Sequence, residues 1–315
     1  MTKRAFTFPG QGSQSVGMGK DLADAFPEAR AVFDEVDSAL GQKLSAIMFD
    51  GPAETLQLTE NAQPALMAVS MAVIRVLEAK GVSVKTTASY VAGHSLGEYS
   101  ALCAAGVFSL SDTARLLKTR GQAMQQAVPV GQGAMAAILG LDLGAVLRAA
   151  NDAGDGEVCG VANDNAPGQV VISGHAGAVG RAIELLKAAG AKRALPLPVS
   201  APFHCALMRP AADAMEHALN SVTTNAPSVP VVVNVLAAPT SDPAAIKLHL
   251  VEQVTGMVRW TESVKWLAGE GGVTELYELG TGKVLTGLAK RIAPDVTATA
   301  VNTPADIEAL VAALR

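Results

Sequence analysis

Five residues, Gly93-His94-Ser95-Leu96-Gly97, have the types and spacing of a covalent catalyst. The apolar run Ala88-Ser89-Tyr90-Val91-Ala92 before them reads as a buried strand, and Glu98 to Ala105 after them as a helix rich in small residues. A serine between strand and helix in a G-x-S-x-G turn sits on a nucleophile elbow, with its hydroxyl lifted clear of the sheet. The glycines let strand and helix approach with no Cβ between them. The backbone N–H of Leu96 can then point at a developing oxyanion. The competing reading is a tight structural turn, because the bare pattern arises by chance in a chain with 30 glycines.

A serine nucleophile needs a base within hydrogen-bond reach. His94 adjoins the serine, so its ring should point elsewhere. His175 begins a turn, and His217 and His249 fall in helices as surface residues. His204 lies in a loop between a strand and a helix and is the best candidate base. No aspartate to orient it is identifiable. The pair therefore reads as a dyad whose histidine is held by backbone carbonyls or an amide, a departure from the full triad. Pro9-Gly10-Gln11-Gly12-Ser13-Gln14 invites a phosphate-loop reading that fails, because no Gly-Lys-Ser/Thr follows and G-x-G-x-x-G is not completed at Ser15. It is either a flexible strand–helix loop or one that aims backbone N–H groups into a cleft. Arg120 falls in a helix, where an arginine is ordinarily solvated.

The elements that must position these residues follow from pattern. Helices are expected over 21–40, 61–78 and 112–126, around the elbow strand and helix. From 131 to 199 the order is strand 134–141, helix 143–153, strand 157–163, an Asp164-Asn165-Ala166-Pro167-Gly168 turn, strand 169–173, helix 177–189 and strand 192–199. That β-α-β-β-α-β order is the ferredoxin-like split unit. The fold class is therefore α/β: a discontinuous large domain, 1–130 and 200–315, with a small ferredoxin-like domain, 131–199, inserted in it. The second large segment reads as helix 210–219, buried strand 229–236, helices 244–253 and 261–268, and strand 274–278. Gly280-Thr281-Gly282-Lys283 then leads into helix 284–292, followed by strand 296–301 and helix 304–314.

Composition excludes several classes. Of 315 residues, half are hydrophobic and 17% charged, which permits a sizeable core and argues against disorder. A net charge of −5 with no basic cluster argues against nucleic-acid binding. Cys103, Cys159 and Cys205 are scattered, which favours a reducing compartment and excludes the common zinc spacings. The N-terminal apolar run is too short for a signal peptide, and no uninterrupted apolar stretch spans a bilayer. A cytoplasmic protein off the membrane is expected.

Pro9-Gly10-Gln11-Gly12-Ser13-Gln14, Gly93 to Tyr99, Arg120-Gly121, Asn165-Ala166-Pro167-Gly168-Gln169, Phe203-His204 and Gly280-Thr281-Gly282-Lys283 together resemble the malonyl-CoA:acyl carrier protein transacylases of bacterial fatty acid synthesis. The resemblance runs from Phe6 to at least Ile292, with the six motifs in order. It implies a hydrolase-like large domain with a parallel sheet. It implies Ser95 as the nucleophile that carries a malonyl ester and His204 as its base. It implies an oxyanion hole from the Gln11 and Leu96 N–H groups, Arg120 on the free malonyl carboxylate, and Gln253 as the residue that fixes the histidine. No metal or cofactor is implied; malonyl-CoA is the substrate and acyl carrier protein the partner. A chain with no fused domains leans towards fatty acid over polyketide synthesis.

Malonyl-CoA differs from acetyl-CoA by a carboxylate, which a buried guanidinium holds by charge-assisted pairing. Losing such a pair costs about 3–5 kcal/mol, enough to discriminate against substrates without the carboxylate by more than roughly a hundredfold. Phe203, beside the base, is a further filter against methylmalonyl or a plain core residue. The implied rivals are a serine thioesterase or hydrolase on the same elbow, an acyltransferase for another extender, and a non-catalytic carrier-docking module. Lys118, Arg193 and Arg209 are candidates for a local basic patch that docks an acidic carrier.

Overall fold

The apolar runs of the sequence become strands whose C-terminal ends carry the loops singled out above. The computed structural model describes residues 2–199 and 201–314. In chain order its strands are β1 (Arg4–Phe8), β2 (Tyr90–Gly93), β3 (Gly133–Leu139), β4 (Cys159–Ala166), β5 (Gln169–His175), β6 (Arg193–Pro196), β7 (Val231–Val233), β8 (Ala238–Thr240), β9 (Glu275–Leu279) and β10 (Thr297–Val301).

The larger sheet has the order β10-β9-β1-β2-β7-β8, and every pairing in it is parallel except β7 with β8. Side chains alternate across it. Phe6, Phe8, Val91, Val231 and Val233 enter one core, and Ala5, Ala92, Val232 and Leu276 enter the other. Burial on both faces is what a parallel sheet needs, and helices supply it. The first core includes the helix Thr59–Ala79, which is apolar and long enough to cross a membrane. Of its most apolar window, 83% is buried inside the fold, so it is a core helix here.

The smaller sheet has the order β4-β5-β3-β6 and is antiparallel throughout. The helices Leu143–Asp152 and Ala176–Ala188 close a separate core over it, around Ile138, Val146, Ile172 and Leu186. It is hydrogen-bonded to the rest of the chain: Asp164 N–H donates to Val258 O (3.0 Å), and Val258 N–H to Ala162 O (2.9 Å).

Several expected elements differ. The helix expected over 21–40 is two, Lys20–Ala25 and Pro27–Leu40, because Pro27 forces Phe26 into extended backbone. The strand expected over 229–236 ends at Val233. The chain turns through Asn234 to Ala237, which has φ 54°, and returns as β8, leaving Leu236 exposed. The expected five-residue turn at Asp164 shrinks to Pro167-Gly168, since Asp164 to Ala166 continue β4. The expected domain limits at Met1, Ser200 and Arg315 lie outside the described residues.

Candidate active site

β1, β2 and β7 deliver three loops to one edge, the C-terminal edge at which open α/β sheets place their ligands. After β2 comes Ser95, with φ 54° and ψ −111°, a backbone state that a non-glycine residue holds only under constraint. Its neighbours supply that constraint. A Cβ on Gly93 would lie 1.9 Å from Gly97 O, and one on Gly97 would lie 2.2 Å from Phe8 O. After β7, Asn234 completes the clamp: its Oδ1 accepts the Ser95 N–H (2.7 Å) and its Nδ2 donates to Gly93 O (2.7 Å). Leu96 is the first residue of the helix Leu96–Ala104, where an N–H has no intrahelical acceptor.

Ser95 Oγ lies 2.8 Å from His204 Nε2. His204 also has positive φ, 57°. Its Nδ1 faces two carbonyl oxygens, Gln253 O at 2.9 Å and Gly256 O at 3.1 Å. Carbonyls only accept, so Nδ1 carries the hydrogen and Nε2 turns a lone pair to the serine hydroxyl. These carbonyls stand at the end of the helix Pro243–Thr255. The negative end of a helix dipole thus occupies the position of a triad's aspartate. Burial first, then the nearby Arg120 charge, depress the His204 pKa to about 3, so the resting base is neutral.

Arg120 does not behave as a solvated helical arginine; it is 1% exposed. Gly121 explains the approach, since a Cβ there would meet Glu60 Cα at 2.5 Å. The helix Leu110–Gln126 therefore lies close against Thr59–Ala79, which supplies Gln63. Arg120 Nη1 donates to Gln63 Oε1 (2.8 Å), and Nη2 to Gln253 Oε1 (2.9 Å) and Ser95 Oγ (3.1 Å). Nε has no hydrogen-bond partner, and no carboxylate lies within ion-pair distance of the guanidinium, among the described residues. This buried cation beside the nucleophile rests on neutral oxygens and on the face of the Tyr99 ring, 5.6 Å from its centroid.

The structure brings Ser95, His204, Arg120 and Gln253 together, with Leu96 next in chain. Gln11 lies in the exposed loop after β1, which reaches the elbow because Gly10 and Gly97 carry no side chain: a Cβ on Gly10 would meet His94 O at 2.8 Å. Gln253 holds His204 by its backbone oxygen, while its side-chain Nε2 donates to Ser95 O and Glu98 Oε2, both at 3.0 Å. His94 points away from the serine, its Nε2 2.8 Å from Asn165 Oδ1 on β4. Phe203 is buried in the main core. Lys118 is drawn into a pair with Glu60 (2.8 Å) and two amides, so it is poorly placed to dock a partner. Sequence reasoning missed Gln63, Asn234 and Gly256. For Asn234 the signal was a polar residue directly after Val231-Val232-Val233; Gln63 and Gly256 had none.

The acyl transferase domain family matches residues 5–274. The malonyl CoA-acyl carrier protein transacylase of Escherichia coli strain K12 is 52% identical over 309 residues, 98% of this chain and 99% of that one. An acyl-carrier-protein-S-malonyltransferase from Bartonella henselae superposes with a TM-score of 0.97 at 58% identity, covering 99% of each chain. A malonyl-transacylase solved in complex with its type II PKS acyl-carrier protein superposes with a TM-score of 0.95 at 47% identity, over 99% of this chain and 100% of that one.

Proposed function

The chain belongs to the malonyl CoA-acyl carrier protein transacylase family, and we propose that it works through a malonyl ester on Ser95. It is an acyltransferase that moves malonyl from malonyl-CoA to acyl carrier protein. One observation carries the ester reading: Ser95 Oγ lies 2.8 Å from His204 Nε2 and 3.1 Å from Arg120 Nη2.

Ser95 Oγ attacks the thioester carbon while its proton passes to His204 Nε2. The oxyanion is held by the Leu96 and Gln11 N–H groups. Collapse breaks the C–S bond, and the CoA thiolate takes the proton back from Nε2. The carrier's phosphopantetheine thiol then gives its proton to Nε2 and attacks the ester, and Ser95 leaves with that proton. The malonyl carboxylate lies three bonds beyond the ester oxygen, which puts it beside the guanidinium. There it supplies a directly paired carboxylate, which Arg120 does not have among the described residues of the free enzyme, a gain that an acetyl group does not bring. No residue of this scheme calls for a metal or redox cofactor.

In this reading the small antiparallel sheet, tied to the elbow by the Asn165–His94 hydrogen bond, forms one wall of the cleft and keeps water from the ester. Arg193, exposed and without an ion pair among the described residues, is the strongest of the three candidates for carrier docking; Arg209 is paired with Asp213 at 3.0 Å. The free thiols of Cys103, Cys159 and Cys205 fit a cytoplasmic setting.

The test is intact-protein mass spectrometry after mixing with malonyl-CoA, beside acetyl-CoA, methylmalonyl-CoA and Ser95→Ala. The reading expects a malonyl adduct that needs Ser95 and clears on adding carrier protein. Free malonate without an adduct would favour a hydrolase. An equal acetyl adduct would remove the Arg120 argument.

A further inference from the structure

Glu98 is 0% exposed and lies three residues beyond the nucleophile. One of its oxygens, Oε2, accepts two hydrogen bonds: from Asn234 N–H at 2.8 Å and from Gln253 Nε2 at 3.0 Å. The other, Oε1, has no partner among the described residues. The two donors come from different elements, one from the turn after β7 and one from the helix Pro243–Thr255. Each leads to a reacting group. Asn234 Oδ1 accepts the Ser95 N–H, and the Gln253 carbonyl accepts from His204 Nδ1. The Gln253 side chain also accepts from Arg120.

A buried carboxylate with an orphan oxygen is a poor way to stabilise a fold. An apolar side chain of similar volume would fill the space without the desolvation cost. Burial pushes the Glu98 carboxyl up to about 7, a measure of that cost. What this residue supplies is a single acceptor at the point where two segments converge.

We propose that Glu98 is a positioning residue, whose one oxygen sets the nucleophile's peptide through Asn234 and the base's carbonyl through Gln253. The assignment rests on Ser95 and His204 being the reacting pair. It requires an oxygen at that point and does not require a charge. Glutamine keeps an oxygen within reach. Aspartate keeps the charge but is one methylene too short to serve both donors.

Glu98→Gln and Glu98→Asp are made in the full chain and compared with wild type and Ser95→Ala. Acylation by malonyl-CoA is followed by rapid quench and intact mass, kcat and KM are measured separately, and thermal melting is recorded. The expected result is a fall in the Glu98→Asp acylation rate of about a hundredfold, the scale of a small misplacement of reacting groups. That fall should exceed any rise in KM. Glu98→Gln should stay within about fivefold of wild type. Three results would overturn the proposal: Glu98→Asp acylating at the wild-type rate, Glu98→Gln falling as far as Glu98→Asp, or both variants losing melting temperature with kcat unchanged. Absence of a Ser95 ester in the wild-type chain would instead sink the reading on which the proposal rests.

Discussion

β2 and β9 lie on either side of β1, and each runs through a glycine-bearing turn into a helix, Gly93-His94-Ser95-Leu96-Gly97 after β2 and Gly280-Thr281-Gly282-Lys283 after β9. Each turn has a fully buried glutamate beside it. After β9, Glu278 fills the helix start itself: Oε1 accepts Leu285 N–H (3.0 Å), and Oε2 accepts Thr286 N–H and Oγ1–H (both 2.7 Å). The positive end of that helix already holds an anion of the chain's own. After β2, Glu98 sits inside the helix and turns away towards Asn234 and Gln253, so the Leu96 N–H stays open. A glycine-bearing strand–helix turn can serve a reaction only where the chain has not capped it.

The sharpest way to break this contrast is a pair of hydroxyl deletions. Ser95→Ala should abolish the malonyl adduct altogether, whereas Thr281→Ala should acylate normally; intact mass reads both. Next in size is Arg120→Ala, which should lower kcat/KM for malonyl-CoA by about 10²–10³-fold, the equivalent of a lost buried pair of 3–5 kcal/mol, while acetyl-CoA loses far less. Third, Gly97→Ala must push backbone aside at 2.2 Å and should cost about 3 kcal/mol or more in denaturant unfolding. Gly282→Ala has its nearest neighbour, Ser13 Cβ, at 3.4 Å; it meets only its positive φ of 88° and should cost about 1–2 kcal/mol.

A fourth prediction uses pH. Glu98 is raised in the fold from 4.5 to about 7, chiefly by burial, with the Arg120 charge opposing. Its contribution to stability is therefore full below pH 4.5 and lost as pH rises through 7. Glu98→Gln has no such loss, so it should gain on wild type by about 2–3 kcal/mol between pH 5 and pH 8, read from urea midpoints at each pH. An effect as small as that of Gly282→Ala is expected from the glutamate at the other turn. Glu278→Gln weakens the cap and should cost about 1–2 kcal/mol with acylation unchanged. Loss of acylation in that variant would erase the distinction between the two turns.

The residues alone left Ser95 and His204 within a short argument, whereas the role of Gln11 came only with the family resemblance. Ser95 was legible because its chemistry depends on local geometry, a strand, two glycines and a helix within a dozen residues. His204 was legible by elimination among five histidines. Arg120 could not be read from pattern, since its burial depends on Gly121 meeting Glu60 across 61 residues of chain. Asn234 was hidden for the same reason; a side chain that accepts from a peptide 139 residues away leaves no periodic mark. β8 was missed because Val235 and Leu236 continue the apolar run past Asn234, and the turn that Asn234 opens closes at Ala237, a residue with no turn preference of its own.

His204 leans on two peptide oxygens and has no carboxylate behind it among the described residues. In the proposed scheme the imidazolium formed at each half-reaction therefore has only peptide oxygens beside it and no carboxylate to hold it. Such a group hands its proton on at once, to whichever sulfur or oxygen has just been freed. One neutral base of this kind serves both halves of the proposed transfer, and the net direction is left to the supply of thioesters and thiols outside.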